Sequence, residues 1–460
     1  MPTFTQQRSP IPLAAPADYQ VPPGVLTVLC NGLGADSVAN WFLLSEHPAR
    51  YGLKADLSDL VVITAMTGME WPKTIAYFER HVLPQFRERG VRFVQVARRG
   101  PRKRDGIIVL DDSRYPKRII PTGPYTIDDE LRLSGTVPNI AGGQRCSQRF
   151  KAEVLESWYE YTFGAPIGPA WQFRRVMGYD DTKHERGRAK TDRAFTEQRN
   201  KNPRSPYCTT IYPLQDAGMD RPAVIAFNKK RTKITWPKSY CTVCPYPSNS
   251  ASRPDHLASC AEEPDATALV LLREYIANIL NPRVLLYGKT SLRREITLAR
   301  DSGILTTAQT DTIDAAFERR LNAVPWRVYR VRRVITAGRD KSGNPDPGKK
   351  GTGWRSVSTR HEAECRSQAQ SWLETSARTN GWDLESDSAS GETIIRAWSR
   401  RRNTSYPVAE EFWTAAPAGP DHVPDKERPG FAQIWAETLD HARSHAVRDA
   451  LQLPLNVIAV

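Results

Sequence analysis

Three stretches of this chain combine residue types and spacings that can do chemistry. The first is Asn31-Gly32-Leu33-Gly34-Ala35-Asp36-Ser37, between the apolar run Val25–Cys30 and a helical pattern starting at Val38–Leu44. Amides at a strand-to-helix turn, added to a helix N-terminus, form an anion nest, and glycine lets the backbone approach phosphate oxygens closely. Asn31, Gly32, Gly34 and Ser37 would hold such an anion. Asp36 would repel it unless it holds Mg²⁺ or a hydrogen bond. The pattern is neither the P-loop nor the Rossmann fingerprint. An ordinary tight turn is the plain alternative.

The second stretch is Gly142-Gly143-Gln144-Arg145-Cys146-Ser147-Gln148-Arg149-Phe150-Lys151. Arg145 and Lys151 flank a helix start, where an anion gains from the dipole and from charge-assisted hydrogen bonds. The third is Cys241-Thr242-Val243-Cys244, a CxxC at a turn, with His256 and Cys260 downstream. Cys241, Cys244, His256 and Cys260 have spacing suited to Cys₃His zinc. Cys146, Cys241 and Cys244, with Cys260 or Cys208, would supply four thiolates for an iron–sulfur cluster. Cysteines that bind no metal are the third alternative.

These motifs, in this order, resemble the phosphoadenylylsulfate (PAPS) reductase-like branch of the PP-loop superfamily. The glycine loop is similar to the SGGxDS loop in a looser GxGxDS form. Thr67-Gly68 within Thr64–Thr74 is similar to the DTGxxFPET segment, with Met66 where the Asp would stand and Trp71 as the aromatic. Arg145–Lys151 resembles RxCTxxLKxxPL, and Met177-Gly178-Tyr179-Asp180 followed by Glu185-Arg186 resembles the GYDxxE(x)R stretch. The resemblance covers about residues 25–300. It implies ATP or PAPS as nucleotide and Mg²⁺ bound by Asp36. Arg145 and Lys151 would neutralise charge, with Thr67 and Gly68 in the nucleotide crevice. Some relatives carry a [4Fe-4S] cluster on scattered cysteines. The implied activity is adenylation of a substrate, nucleic acid being the expected one, for sulfur transfer from a cysteine desulfurase or another donor. Reduction of PAPS or adenylylsulfate is the alternative. It needs a nucleophilic thiolate, which in the reductases lies in a C-terminal tail, and here no cysteine follows Cys365. A non-catalytic nucleotide- or nucleic-acid-binding module is the third reading.

The elements that must position these residues alternate. Strands at Val25–Cys30, Leu60–Ala65 and Val91–Ala97 are separated by helical patterns, including one over Trp71–Arg89. This argues for an α/β, doubly wound parallel sheet with its site at the strand carboxyl ends. A basic loop, Arg98–Arg104, follows the third strand. Further helices are expected at Lys151–Phe163, Asp181–Asn200, Arg221–Lys230, Ala266–Leu280 and Leu292–Leu321, and strands at Trp171–Gly178 and Cys208–Leu214. The expected organisation is a flexible segment over 1–24, a Rossmann-like nucleotide-binding domain with a helical extension over 25–300, a helical connector over 301–324 and a small basic α+β domain over 325–460. In the last, Trp326–Ile335 alternates apolar residues with Arg327, Arg330, Arg332 and Arg333, a half-buried strand with one cationic face that could meet DNA or RNA. Asp340–Gly353 reads as a loop, His361–Arg378 as a helix, Glu392–Trp398 as a strand and Thr414–Pro429 as a linker.

The net charge is +14, which suits anionic partners. Seven cysteines in 460 residues are too few for a disulfide scaffold. No apolar run reaches the ~18 residues of a membrane span, and the N-terminus has no charged-then-apolar signal pattern. The expectation is a cytoplasmic protein without a membrane partner.

Overall fold

The computed structural model describes residues 19, 21–138, 145–164, 172–248, 252–388, 393–403, 405–420 and 430–451, the last ten by backbone alone. The expected flexible segment and residues 142–144 of the arginine–cysteine motif lie almost wholly outside these. The chain divides into two compact units, 1–127 with 144–242, and 128–143 with 243–460. Residues 243–300, assigned from sequence to the nucleotide-binding domain, thus belong to the second unit.

The first unit is built on six strands: β1 (Leu26–Cys30), β2 (Leu60–Met66), β3 (Arg92–Arg98), β4 (Ile107–Ser113), β5 (Phe173–Val176) and β6 (Cys208–Ile211), in the order β4-β3-β2-β1-β5-β6. All neighbours are parallel except β3 and β4. The sheet is therefore mixed, not purely parallel. The short basic segment after β3 has no room for a crossover helix, so the chain can only return antiparallel. Alternate residues feed two cores. Leu29, Leu60, Val62 and Phe93 pack with helix Ala35–Glu46 on one face. Val28, Val61, Ile63 and Val94 pack with Trp158 and Tyr159 of helix Glu153–Phe163 on the other. Burial on both faces is what central parallel strands require. The chain leaves β1 toward β2 on one side and reaches β5 on the other, so the β1 and β5 carboxyl ends form a topological switch point.

Several expected elements change at identifiable residues. Trp71–Arg89 is two helices, Pro72–His81 and Leu83–Arg89, because Pro84 cannot donate to the Arg80 carbonyl. Leu292–Leu321 breaks at Gly303 (φ +75°), and Thr306 opens the next helix with a capping box to Gln309.

The second unit combines helices Arg253–Glu262, Pro264–Leu280, Leu292–Asp301 and Thr307–Asn322 with five antiparallel strands: β7 (Trp326–Arg339), β8 (Pro345–Ala363), β9 (Asp383–Asp387), β10 (Ile394–Arg400) and β11 (Val408–Pro417), ordered β8-β7-β11-β10-β9. The expected loop Asp340–Gly353 is mostly the start of β8. The expected helix from His361 begins at Arg366. The expected linker from Thr414 starts as the end of β11, and its residues 421–429 lie outside the described ones. Helix Phe431–Leu451 follows.

Glu274, only 4% exposed, accepts the Leu286 and Leu292 amides at 2.8 Å each. Burial nevertheless pushes its carboxyl up to about 7 from the ordinary 4.5. The folded state thus binds this proton more tightly than the unfolded chain. The stabilisation is complete below the unfolded value and is lost as pH rises through the folded one. Chemical denaturation should show the second unit losing up to about 3 kcal/mol between about pH 5 and 8, from this group alone.

Candidate functional site

The glycine loop sits at the switch point. Asn31 continues β1 through its amide to the Ile63 carbonyl, 2.8 Å. Its side-chain Oδ1 accepts the Leu33 amide at 2.7 Å and holds Leu33 at φ +62°. The Ser37 hydroxyl accepts the Gly32 amide at 2.9 Å, which leaves its proton free to donate elsewhere. Gly34 is the extended N-cap of helix Ala35–Glu46 and provides no side-chain cap. From β5, Gly178 packs so tightly that a Cβ there would lie 3.3 Å from the Asp36 backbone carbon and the Ser37 nitrogen. The Asn40 amide donates to the Met177 carbonyl at 3.2 Å. Helix start and β5 turn are therefore fixed together.

Two donor groups here are unmatched. The Asn31 Nδ2, on a side chain 4% exposed, has no hydrogen-bond partner among the described residues. At the helix start, among the described residues, Ala35 is the one first-turn amide with a partner, donating to the Pro237 carbonyl at 3.2 Å. Orphaned buried donors cost about 1–3 kcal/mol unless an acceptor arrives. Segment Trp236–Ser239 closes the loop from above. The Trp236 indole donates to the Leu33 carbonyl at 3.0 Å, and a Cβ at Gly34 would meet Ser239 Cβ at 2.4 Å. Glycine at position 34 thus has a packing reason of its own.

Asp36, expected to hold Mg²⁺, is paired with Arg221 at 2.7 Å. Burial pushes its carboxyl upward, Arg221 opposes this, and Asp180 adds to it. Lys238 lies within electrostatic reach. Arg221, Lys238 and Arg188 are cations that the structure brings within electrostatic reach of Asp36.

Thr67 and Gly68 do form a nest at the end of β2, but the chain fills it. Glu70 accepts the Thr67 amide at 2.9 Å and hydroxyl at 2.7 Å, and the Gly68 amide at 3.1 Å. Removing this carboxylate by Glu70→Ala should cost about 1.5–3 kcal/mol, the range for hydrogen bonds to a charged acceptor. It should also make the melting temperature rise with sulfate by more than the wild type's does, because the emptied nest adds an anion site to the general effect of the salt. Thermal unfolding with and without sulfate reads both.

Beside this nest the Cys241 thiol approaches the Thr67 hydroxyl at 3.3 Å. Burial raises the thiol, the nearby Lys151 opposes, and Glu70 and Cys146 raise it further. Lys151 and Cys146 are thus neighbours of Cys241. Lys151 lies in a π-helical turn, Gln148–Ala152, that precedes helix Glu153–Phe163. Arg145 is exposed in a three-residue helix, and no bond from its side chain is found among the described residues.

The other cysteines lie elsewhere. Cys260 is buried, 3.8 Å from His256 Nε2, which pairs with the Tyr287 hydroxyl at 2.6 Å. Burial pushes the Cys260 thiol up to about 12 and His256 down to about 4. This is a neutral thiol–imidazole pair in a core. Cys208 meets Arg199 at 3.1 Å, and Cys30 meets the Tyr159 hydroxyl at 3.1 Å, both packed at the sheet. Among the described residues no three His, Cys, Asp or Glu side chains converge where one metal ion could bind them all.

The cationic face expected on β7 is cancelled within its own sheet. Arg330 forms a two-pronged pair with Glu411 at 2.9 and 3.1 Å, Arg333 pairs with Glu410, and Arg327 with Glu362 at 2.9 Å. Arg332 lies over the Phe431 ring at 5.1 Å, and Trp326 and Tyr329 are buried. The acidic pair Glu410-Glu411 comes from β11, eighty residues downstream, so the pattern of β7 alone could not show it.

Neither a protein-family model, nor a curated protein, nor a solved structure matches this chain significantly. Among the described residues no helix is long and apolar enough to cross a membrane.

Proposed function

We propose that this protein binds an adenine nucleotide, ATP or PAPS, at the β1–β5 switch point and acts as a PP-loop-type enzyme. The reading is adenylation of an acceptor, nucleic acid being the candidate, for sulfur transfer. The observation that carries it is the orphaned Asn31 amide beside an uncapped helix start, where phosphate is the missing acceptor. Ser37 adds a hydroxyl donor, and Arg221 and Lys238 add positive charge. Asp36 holds Arg221 in place, and through it the phosphate-facing charge. Mg²⁺, if required, would arrive with the nucleotide. Stabilising charge on departing pyrophosphate is what such donors contribute to catalysis.

A second reading, reduction of PAPS or adenylylsulfate, is favoured by one observation. Cys241 lies between Lys151 and the Thr67 nest, so a thiolate formed there would have a cation beside it. The terminal sulfur of the nucleotide would be its target.

The two readings separate by product. Wild-type protein with Mg²⁺, nucleic acid, ATP and a sulfide donor should release pyrophosphate on adenylation and then AMP as sulfur displaces it, and Asp36→Asn should lower this by about 10²–10³-fold. With PAPS and a dithiol supplied as the two-electron reductant, release of sulfite and of the nucleoside bisphosphate, lost in Cys241→Ser, would support the second. If neither nucleotide is turned over under any of these conditions, the enzyme reading fails.

A further inference from the structure

The second unit carries a row of stacked rings. His361 lies on Trp372 with centroids 4.9 Å apart and planes 7° from parallel. Trp372 neighbours Trp413 at 6.3 Å and 31°, and Trp413 lies on Trp382 at 4.6 Å and 23°. The rings come from three places: His361 from β8, Trp413 from β11, and Trp372 and Trp382 from helix Arg366–Asn380 and the turn after it. All four are half-exposed. The helix holds to the sheet by Ala369, Leu373 and Ala377, which are buried. Trp372 stands outside that stripe and is not needed to seal the core.

A bulge aims the row. Val328 pairs with His361 but its neighbour Tyr329 pairs with Thr359, which leaves Arg360 as the extra residue. Bulges re-aim side chains where a strand serves more than packing. Here the bulge brings the Arg360 guanidinium over the Trp413 ring, 5.9 Å from its centroid. Arg360 is exposed, as are Lys349 and Lys350 on the same strand. Of the acids nearby, Glu362 is engaged by Arg327, and Asp383 and Glu385 by Arg401, while Glu364 and Glu374 have no ion pair among the described residues. Beside the row lies an open depression of about 490 Å³ lined by His361, Trp372, Ser367, Gln368, Ser371 and Thr375. Its floor is aromatic and its rim is hydroxyl and amide.

We propose that this surface binds single-stranded nucleic acid. A base stacks against the His361–Trp372 rings, its edge meets the Ser367, Gln368, Ser371 and Thr375 side chains, and Arg360 takes a neighbouring phosphate. Planar rings suit any base, and the positive charge suits a phosphate backbone. A proline-rich peptide would use rings but not the cation, so charge decides between them. The inference deepens the nucleic-acid part of the proposed function, but binding here needs no nucleotide turnover, so the two can fail separately.

The test is fluorescence anisotropy of the full chain with labelled dT and rU single strands, and the matching duplex, at several salt concentrations without ATP. Single strands should bind more tightly than duplex. Trp372→Ala should weaken single-strand binding roughly 5- to 100-fold, the range of one stacked base. Trp372→Phe should keep most of it. Arg360→Ala should lower the salt slope by about 0.7, one phosphate contact on a single strand. Should Trp372→Ala misfold by circular dichroism, Trp372→Phe and Arg360→Ala decide alone. The proposal is overturned if the wild type binds no single strand at low salt or binds duplex equally well. It is also overturned if Trp372→Ala, where folded, and Arg360→Ala bind like the wild type, or if a labelled proline-rich peptide binds where the single strands do not.

Discussion

Asn31→Asp should remove most of the stabilisation that nucleotide gives the wild-type protein. The substitution is nearly isosteric, and the retained Oδ1 still accepts the Leu33 amide that holds the loop. The only change is at the orphaned position, where a donor becomes an anionic oxygen. A phosphate there loses a hydrogen bond and gains a like charge, together about 3 kcal/mol or more, which is over a hundredfold in affinity. Thermal unfolding with saturating Mg-ATP and with PAPS reads this directly. A ligand at 100 times its Kd stabilises by about 2.7 kcal/mol, and after a hundredfold loss of affinity the variant should keep at most about 0.4 kcal/mol of it. An unchanged shift in Asn31→Asp would mean the nucleotide binds elsewhere.

The second large effect is on stability. Gly34 has φ −96° and ψ 176°, a conformation any residue adopts, so alanine there suffers no backbone strain. The new Cβ would instead lie 2.4 Å from Ser239 Cβ and 2.6 Å from the Ser239 backbone nitrogen. Both segments belong to a packed core edge held by the Trp236 indole, and neither can yield freely. Overpacking of this kind costs about 1–3 kcal/mol. Gly34→Ala should therefore lower the urea midpoint, and adding Ser239→Gly should restore part of the loss, because it removes the nearest atom but leaves the backbone nitrogen. If the double variant is no better than the single, the contact with Ser239 is not the source.

The alternation of strands and helices over the first hundred residues was legible because central parallel strands must be apolar on both faces, as in Leu60–Ala65. It also placed the glycine loop at the head of its helix. The β4 edge strand escaped notice because its residues are half-exposed and carry no clear alternation. The roles of site residues were less legible, because they depend on partners distant in sequence. Asp36 meets Arg221 and Glu70 folds back into its own nest. Ser239 explains Gly34 from two hundred residues away. The arginines of β7 looked like a nucleic-acid face until Glu410 and Glu411 came beside them. The aromatic row gave no periodic signal at all, since its rings come from two strands, a helix and a turn.

Nucleotide binding at the β1–β5 switch point is read by calorimetric titration of Mg-ATP, and separately of PAPS, into the wild-type chain. One of them should bind at one site per chain with micromolar affinity, and should lose at least a hundredfold in Asn31→Asp. If neither binds, or if the variant binds as tightly as the wild type, then the donors at the β1–β5 switch point do not hold a nucleotide and the proposed function is wrong.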